Sequence, residues 1–217
     1  MPSPHVARTA SGRRIGCAVP MMALMLLASR MTAQVPDSSN AARSGIYRSA
    51  ESFTKGTLEL AIDCRAGTHR IDRHLLLSRP HLDIAHDGVR TRINKRDIFG
   101  FRDCDGSVVR FVEGSEYAIL STGVILMYAR SMMVPAGNRE GYRIMPVRYF
   151  GLAATDTLIP LTREAIKNAF PAHHELHEAL DAGFRNDDEL GAFDGRHGVY
   201  RLQRMLTRYV GAAQVRE

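Results

Sequence analysis

The sequence predicts an α+β protein: a mostly antiparallel, β-rich body, built as an open barrel or twisted sheet, followed by three to four C-terminal helices. Three observations predict it. Apolar residues recur at every second position through much of residues 57–160, the period changes to that of a helix after Pro160, and glycine-containing turn pairs punctuate the first region. Alternation at period two puts one set of side chains on a buried sheet face and the other in water. A period near 3.6 does the same for a helix.

Residues 1–33 read as an export signal. Arg8, Arg13 and Arg14 form a basic start, residues 15–28 are apolar, and Ser29-Arg30-Met31-Thr32-Ala33 is a more polar end with small Ala33 at the cleavage position. The apolar stretch contains Pro20 and is shorter than the ~20 residues of a membrane-crossing helix. The mature chain is therefore expected to begin near Gln34 and to carry no transmembrane segment. Cleavage removes Arg8, Arg13, Arg14 and Arg30, taking 29 basic side chains to 25 against 23 acidic ones, so the formal charge falls from +6 to +2. That near-neutral balance gives no broad basic field for nucleic acid. Cys17 also leaves, and Cys64 and Cys104 remain. In an oxidising compartment a bond between them would close a loop of about 40 residues and contribute ~3–4 kcal/mol.

Residues 34–45 are polar and without period, the signature of a flexible leader. A helical turn at 49–53 is closed by Gly56. Leu58, Leu60 and Ile62 then alternate with Glu59, Ala61 and Asp63, Leu82 and Ile84 continue the pattern, and Val89, Thr91 and Ile93 alternate with Arg90, Arg92 and Asn94. Asp87-Gly88, Asp105-Gly106 and Glu113-Gly114 supply glycine where a hairpin wants positive φ. Residues 108–112, 117–120 and 124–129 are apolar enough for interior strands. Residues 143–150 form another strand, with Pro146 marking an edge or a bulge. Six to nine strands result, in a β-rich region spanning residues 46–160.

The helical region, residues 161–217, is expected to pack on that body as part of one domain. Thr162 can cap the first helix, with Leu161 packing on Ile166 as a hydrophobic staple. Pro171 ends it, a second helix runs over 172–182 to Gly183, and Asn186-Asp187-Asp188-Glu189 starts a short third. The last, over 198–210, has an apolar face in Val199, Leu202, Leu206, Tyr209 and Val210.

Candidate chemistry is sparse. His173 and His177, four apart in the second predicted helix, would share a face and reach one Zn²⁺. The surrounding string His173-His174-Glu175-Leu176-His177-Glu178 is one position short of the HExxH zinc-protease spacing, so a third ligand must come from elsewhere, with His197 as one candidate. Arg201, Arg204 and Arg208 line the polar face of the last helix, where anionic headgroups or an acidic partner would meet them. His69, His74, His81 and His86 lie among Asp72, Asp83 and Asp87, but no nucleophile stands in a recognisable setting beside them. Asp103 and Asp105 lack the flanking ligands of a calcium loop. Glycine-rich phosphate loops and CxxC pairs are absent.

The stretches Ile98-Phe99-Gly100-Phe101-Arg102-Asp103-Cys104-Asp105-Gly106 with Arg110-Phe111, and Leu158-Ile159-Pro160-Leu161-Thr162 leading to Ala169-Phe170-Pro171, resemble a group of uncharacterised exported proteins from Bacteroidetes bacteria. The resemblance covers residues 45–209. It implies a Gram-negative periplasm or cell envelope and carries over no catalytic or binding residue. The function expected is non-catalytic, binding or structural, towards an envelope protein or ligand and without a cofactor. The alternative is a metal-assisted hydrolase using the histidines of residues 173–178 with Zn.

Overall fold

The computed structural model describes residues 43–211, apart from 66–69, 73–78, 87, 136 and 138–140, and omits the side chains of Ile62 and Arg70. The export signal and most of the leader lie outside the described residues, as do His69, His74 and Asp87.

The described chain opens with β1 (Arg43–Tyr47), the short helix α1 (Ala50–Thr54) and β2 (Glu59–Asp63). Three short strands follow, β3 (Arg70–Asp72), β4 (His81–His86) and β5 (Val89–Asn94). After a 3₁₀ turn at Lys95–Asp97 come β6 (Gly100–Arg102), β7 (Val108–Val112), β8 (Ser115–Ser121), β9 (Leu126–Pro135), β10 (Tyr142–Gly151) and β11 (Ile159–Pro160). The C-terminal part holds α2 (Arg163–Ala169), α3 (His174–Gly183), a 3₁₀ turn at Asp187–Gly191, the ribbon β12 (Phe193–Asp194) and β13 (Val199–Tyr200), and α4 (Arg201–Leu206). The last helix continues as one π-helical turn, Thr207–Gly211.

Eight strands form one antiparallel sheet in the order β11-β10-β9-β8-β7-β6-β1-β2. The order does not close on itself, so the body is an open sheet with β11 and β2 at its edges. Strands β3, β4 and β5 make a second, three-stranded antiparallel sheet. The run β6 to β10 is a meander, which sequential hairpins explain. Between β7 and β8, Glu113 (φ +52°) and Gly114 (φ +80°) are both left-handed, the two-residue turn whose twist matches that of paired strands.

Two apolar clusters hold these layers. In one, Ile46, Phe101, Val109 and Phe111 of the large sheet bury Leu82 and Ile84 of the small one. In the other, Ile125 of the β8–β9 loop, Met127 of β9 and Phe150 of β10 are covered by Leu161, Ile166, Leu176, Leu180, Phe184, Leu202, Leu206 and Val210. Removing each such side chain from water is worth ~1.5–3 kcal/mol. Helices too short to be stable alone are thereby held by packing. A disulfide joins Cys64, just after β2, to Cys104 in the β6–β7 hairpin, with Cα atoms 5.5 Å apart.

The architecture is α+β, with its helices mostly C-terminal. Local details depart from the alternation pattern. Leu60 has φ +47° and is exposed, because the β1–β2 register shifts between Ser44 and Ile46 and breaks the two-residue phase. Val89 is 64% exposed, since it pairs with His86 at the turn end of the β4–β5 hairpin, beyond the Leu82 and Ile84 positions that reach the core. Pro146 stands where β10 has outgrown β11, which pairs only at Tyr149 and Phe150, so its missing N–H removes no ladder bond on that side. Thr162 caps α2, its Oγ1 accepting from the Ala165 N–H at 3.1 Å, and Asn186 caps the 3₁₀ turn by accepting from Glu189.

Candidate binding groove beneath the last helix

The C-terminal helix begins two residues later than its apolar pattern suggests, because Val199 and Tyr200 pair with Asp194 and Phe193 as the β12–β13 ribbon. That pairing lifts Val199 out of the helical stripe, leaving it 39% exposed beside Phe193 at 58%. A groove of about 650 Å³ opens between this ribbon, the last helix and the β8–β9 loop. Its walls include Leu120, Phe193, Val199 and Tyr200, with Gln203 and Gly123 in contact behind them. Arg204, Thr207 and Arg208 also line it. The π-helical turn begins at Thr207, and such turns often occur where a helix borders a functional site.

Gln203 is the polar residue of the apolar cluster side, only 7% exposed. Its Nε2 donates to the Ile125 carbonyl, while its Oε1 has no hydrogen-bond partner among the described residues. The amide lies against Gly123, where a Cβ would stand 2.7 Å from Oε1. Thr122 and Gly123 also border a second cavity of about 610 Å³ on the side of Tyr47, Phe53 and Leu152.

The three arginines of the polar face do different things. Arg201 donates to the Gly183 carbonyl at 3.0 Å and lies over the Phe184 ring, tying the last helix to the end of α3. Arg204 donates to Asp194 Oδ2 at 2.7 Å. Arg208 lies over Tyr209 and has no ion pair among the described residues. Asp194 organises the ribbon turn. Its Oδ1 accepts from the Arg196 and His197 N–H groups, and its Oδ2 lies 2.7 Å from His197 Nδ1. With Nδ1 donating to Oδ2, the 2.8 Å approach of Arg204 Nη1 to Nδ1 brings together two donors sharing one acceptor. The His197 hydrogen bond, before all else, holds the Asp194 carboxyl below the ordinary carboxylate range. Desolvation opposes this, and the His197 N–H and the His197 and Arg204 charges reinforce it.

The histidine cluster is arranged differently from the expected metal face. His173 is the N-cap of α3 rather than a residue within it, with φ −101° and ψ 71°, so it does not share a helical face with His177. Its ring packs edge-on against Phe170. His177 Nε2 is 3.0 Å from the Phe170 carbonyl, to which it donates, and this anchors α3 to the end of α2. Among the described residues no three ligand-type side chains gather around a point. His81 and His86 sit at opposite ends of β4.

Gln203, Gly123, Phe193 and Val199 were not legible as a site. One signal was present: Gln203 interrupts the helical apolar stripe at Val199, Leu206 and Val210, where a polar side chain must find a buried partner. No family model, curated protein or solved structure matches the chain. Among the described residues no helix is long and apolar enough to cross a membrane.

Proposed function

We propose that the protein is exported to the periplasm or envelope of a Gram-negative bacterium and works there without catalysis, by holding an apolar ligand in the groove beneath its last helix. One observation carries the binding role. The groove has the volume of a small-molecule site, apolar walls and a few polar groups, and its lining residues include no carboxylate, histidine or cysteine. Such walls offer contact area and orientation, without the carboxylate or imidazole groups that most often do acid–base work. The export half of the proposal rests on the three-part N-terminal sequence and the likeness to exported Bacteroidetes proteins. The Cys64–Cys104 disulfide supports it, since such bonds persist in oxidising compartments.

Two measurements test the proposal. N-terminal sequencing of protein recovered from its producing cell should start near Gln34, and a chain starting at Met1 or Pro2 would sink the export half. Nile red, a neutral apolar dye, should bind the purified protein saturably at one site. Val199→Glu, which puts a carboxylate on the groove rim, should abolish that binding while the fold is retained. Unsaturable binding, or binding untouched by the substitution, would overturn the groove's role.

A further inference from the structure

We infer that the groove selects ligands with a single anionic head on an apolar body, such as an aliphatic carboxylate, with Arg208 as the residue that receives the head. The inference rests on the groove being the binding site. Of the groove's lining residues only Arg204 and Arg208 are charged, and both are cationic. Arg204 is already matched by Asp194 at 2.7 Å. Arg208 is exposed, lies over Tyr209 and meets no carboxylate among the described residues. The lining thus carries one unmatched positive charge next to an apolar surface.

A guanidinium presents a flat pair of donors that fits a carboxylate bidentately, and Arg208 lies with its Cζ 5.4 Å from the Tyr209 ring centre. Exposed cations on a surface are usually solvated and select nothing. This one differs in its neighbours, because Val199, Phe193 and Tyr200 line the same groove and would take the apolar body of a ligand. An anionic head at Arg208 with its chain along those side chains satisfies both halves. A neutral chain leaves the guanidinium unpaired, and a cationic one is repelled by it.

The test is displacement of Nile red by three ligands of equal chain length: dodecanoate, dodecanol and dodecyltrimethylammonium. Dodecanoate should displace the dye with an affinity at least roughly tenfold above dodecanol, with the ammonium weakest. Raising the salt concentration should narrow the gap. Arg208→Gln should remove the preference for dodecanoate while leaving dodecanol unchanged, and Arg208→Lys should restore part of it. Equal displacement by dodecanoate and dodecanol, or a preference that survives Arg208→Gln, overturns the anionic selection while the groove remains a binding site. If Nile red does not bind saturably, or the groove instead mediates association between copies that Val199→Glu disrupts, both the inference and the groove's role fail.

Discussion

Gln203 of the last helix donates its side-chain amide to the backbone oxygen of Ile125, 78 residues earlier in the chain, at 2.5 Å. This bond crosses the apolar seam between the helical layer and the loop before β9, and Gln203 lines the groove. The bond is possible because residue 123 is glycine and leaves room for the amide.

Gly123→Ala should therefore push the Gln203 amide off its partner. We expect a loss of ~1–3 kcal/mol, the scale of overpacking and of a buried carbonyl left without its donor. Gln203→Leu should cost a similar amount for the second reason alone. In a double mutant the two losses should not add, because both act on the same bond. Urea unfolding of the three variants measures this, and strict additivity would refute the coupling.

Reduction of the disulfide should be costly in this protein. The bond spans 40 residues and ties the edge region after β2 to the β6–β7 hairpin. The chain-entropy scale predicts ~3–4 kcal/mol for a loop of about that size. Unfolding of the Cys64→Ser/Cys104→Ser variant beside wild type, each with and without reductant, reads the value. Only the wild type should respond to reductant.

The Asp194 turn is expected to loosen in acid. Its carboxyl is held below the ordinary range in the folded state, so the stabilisation is present above the unfolded value of ~3.9 and is lost as pH falls through the lower folded value. Asp181 is held low in the same direction, chiefly by its hydrogen bond from Lys167. Carboxyl-carbon NMR titration separates the two. Asp194→Asn should leave the Asp181 midpoint in place and abolish the acid-dependent loosening of the Phe193–Tyr200 ribbon.

His177→Ala should act on stability and not on metal content. Its Nε2–H bond to the Phe170 carbonyl joins α2 to α3 at 3.0 Å, and its loss should cost ~1 kcal/mol. Chelator treatment of the wild type should leave the melting temperature where it was. A chelator-sensitive wild type and a chelator-insensitive variant would revive the zinc alternative.

Much of the local structure was legible because its causes are local. Thr162, Asn186 and the Glu113-Gly114 pair each act within three residues of themselves, as caps and a turn, and each appears where its chemistry points. The β-strand run at 108–112 coincides with β7, whereas of the run at 124–129 only 126–129 enter β9, Val124 and Ile125 lying in the β8–β9 loop. Leu60, Val89 and Val199 defeat the same rules. Periodicity reports that a side chain suits a buried face, but exposure depends on whether a neighbouring strand or helix arrives to cover it. His173 and His177 take different backbone positions for a related reason. Their spacing is four, yet the helix starts only at His174, after Pro171 has interrupted the backbone.

By itself the sequence determined the α+β class, the switch from strands to helices after Pro160, and the caps and turns that punctuate both. These follow from side-chain period and backbone preference, which act over a few residues. The tertiary structure alone decided which part of the open eight-stranded sheet those helices would cover, at Met127 of β9 and Phe150 of β10. It also decided that Gln203 would meet Ile125 and that Arg208 would border an apolar groove while Arg201 and Arg204 were committed elsewhere. Those outcomes depend on pairings between residues far apart in the chain, set by how two apolar clusters pack.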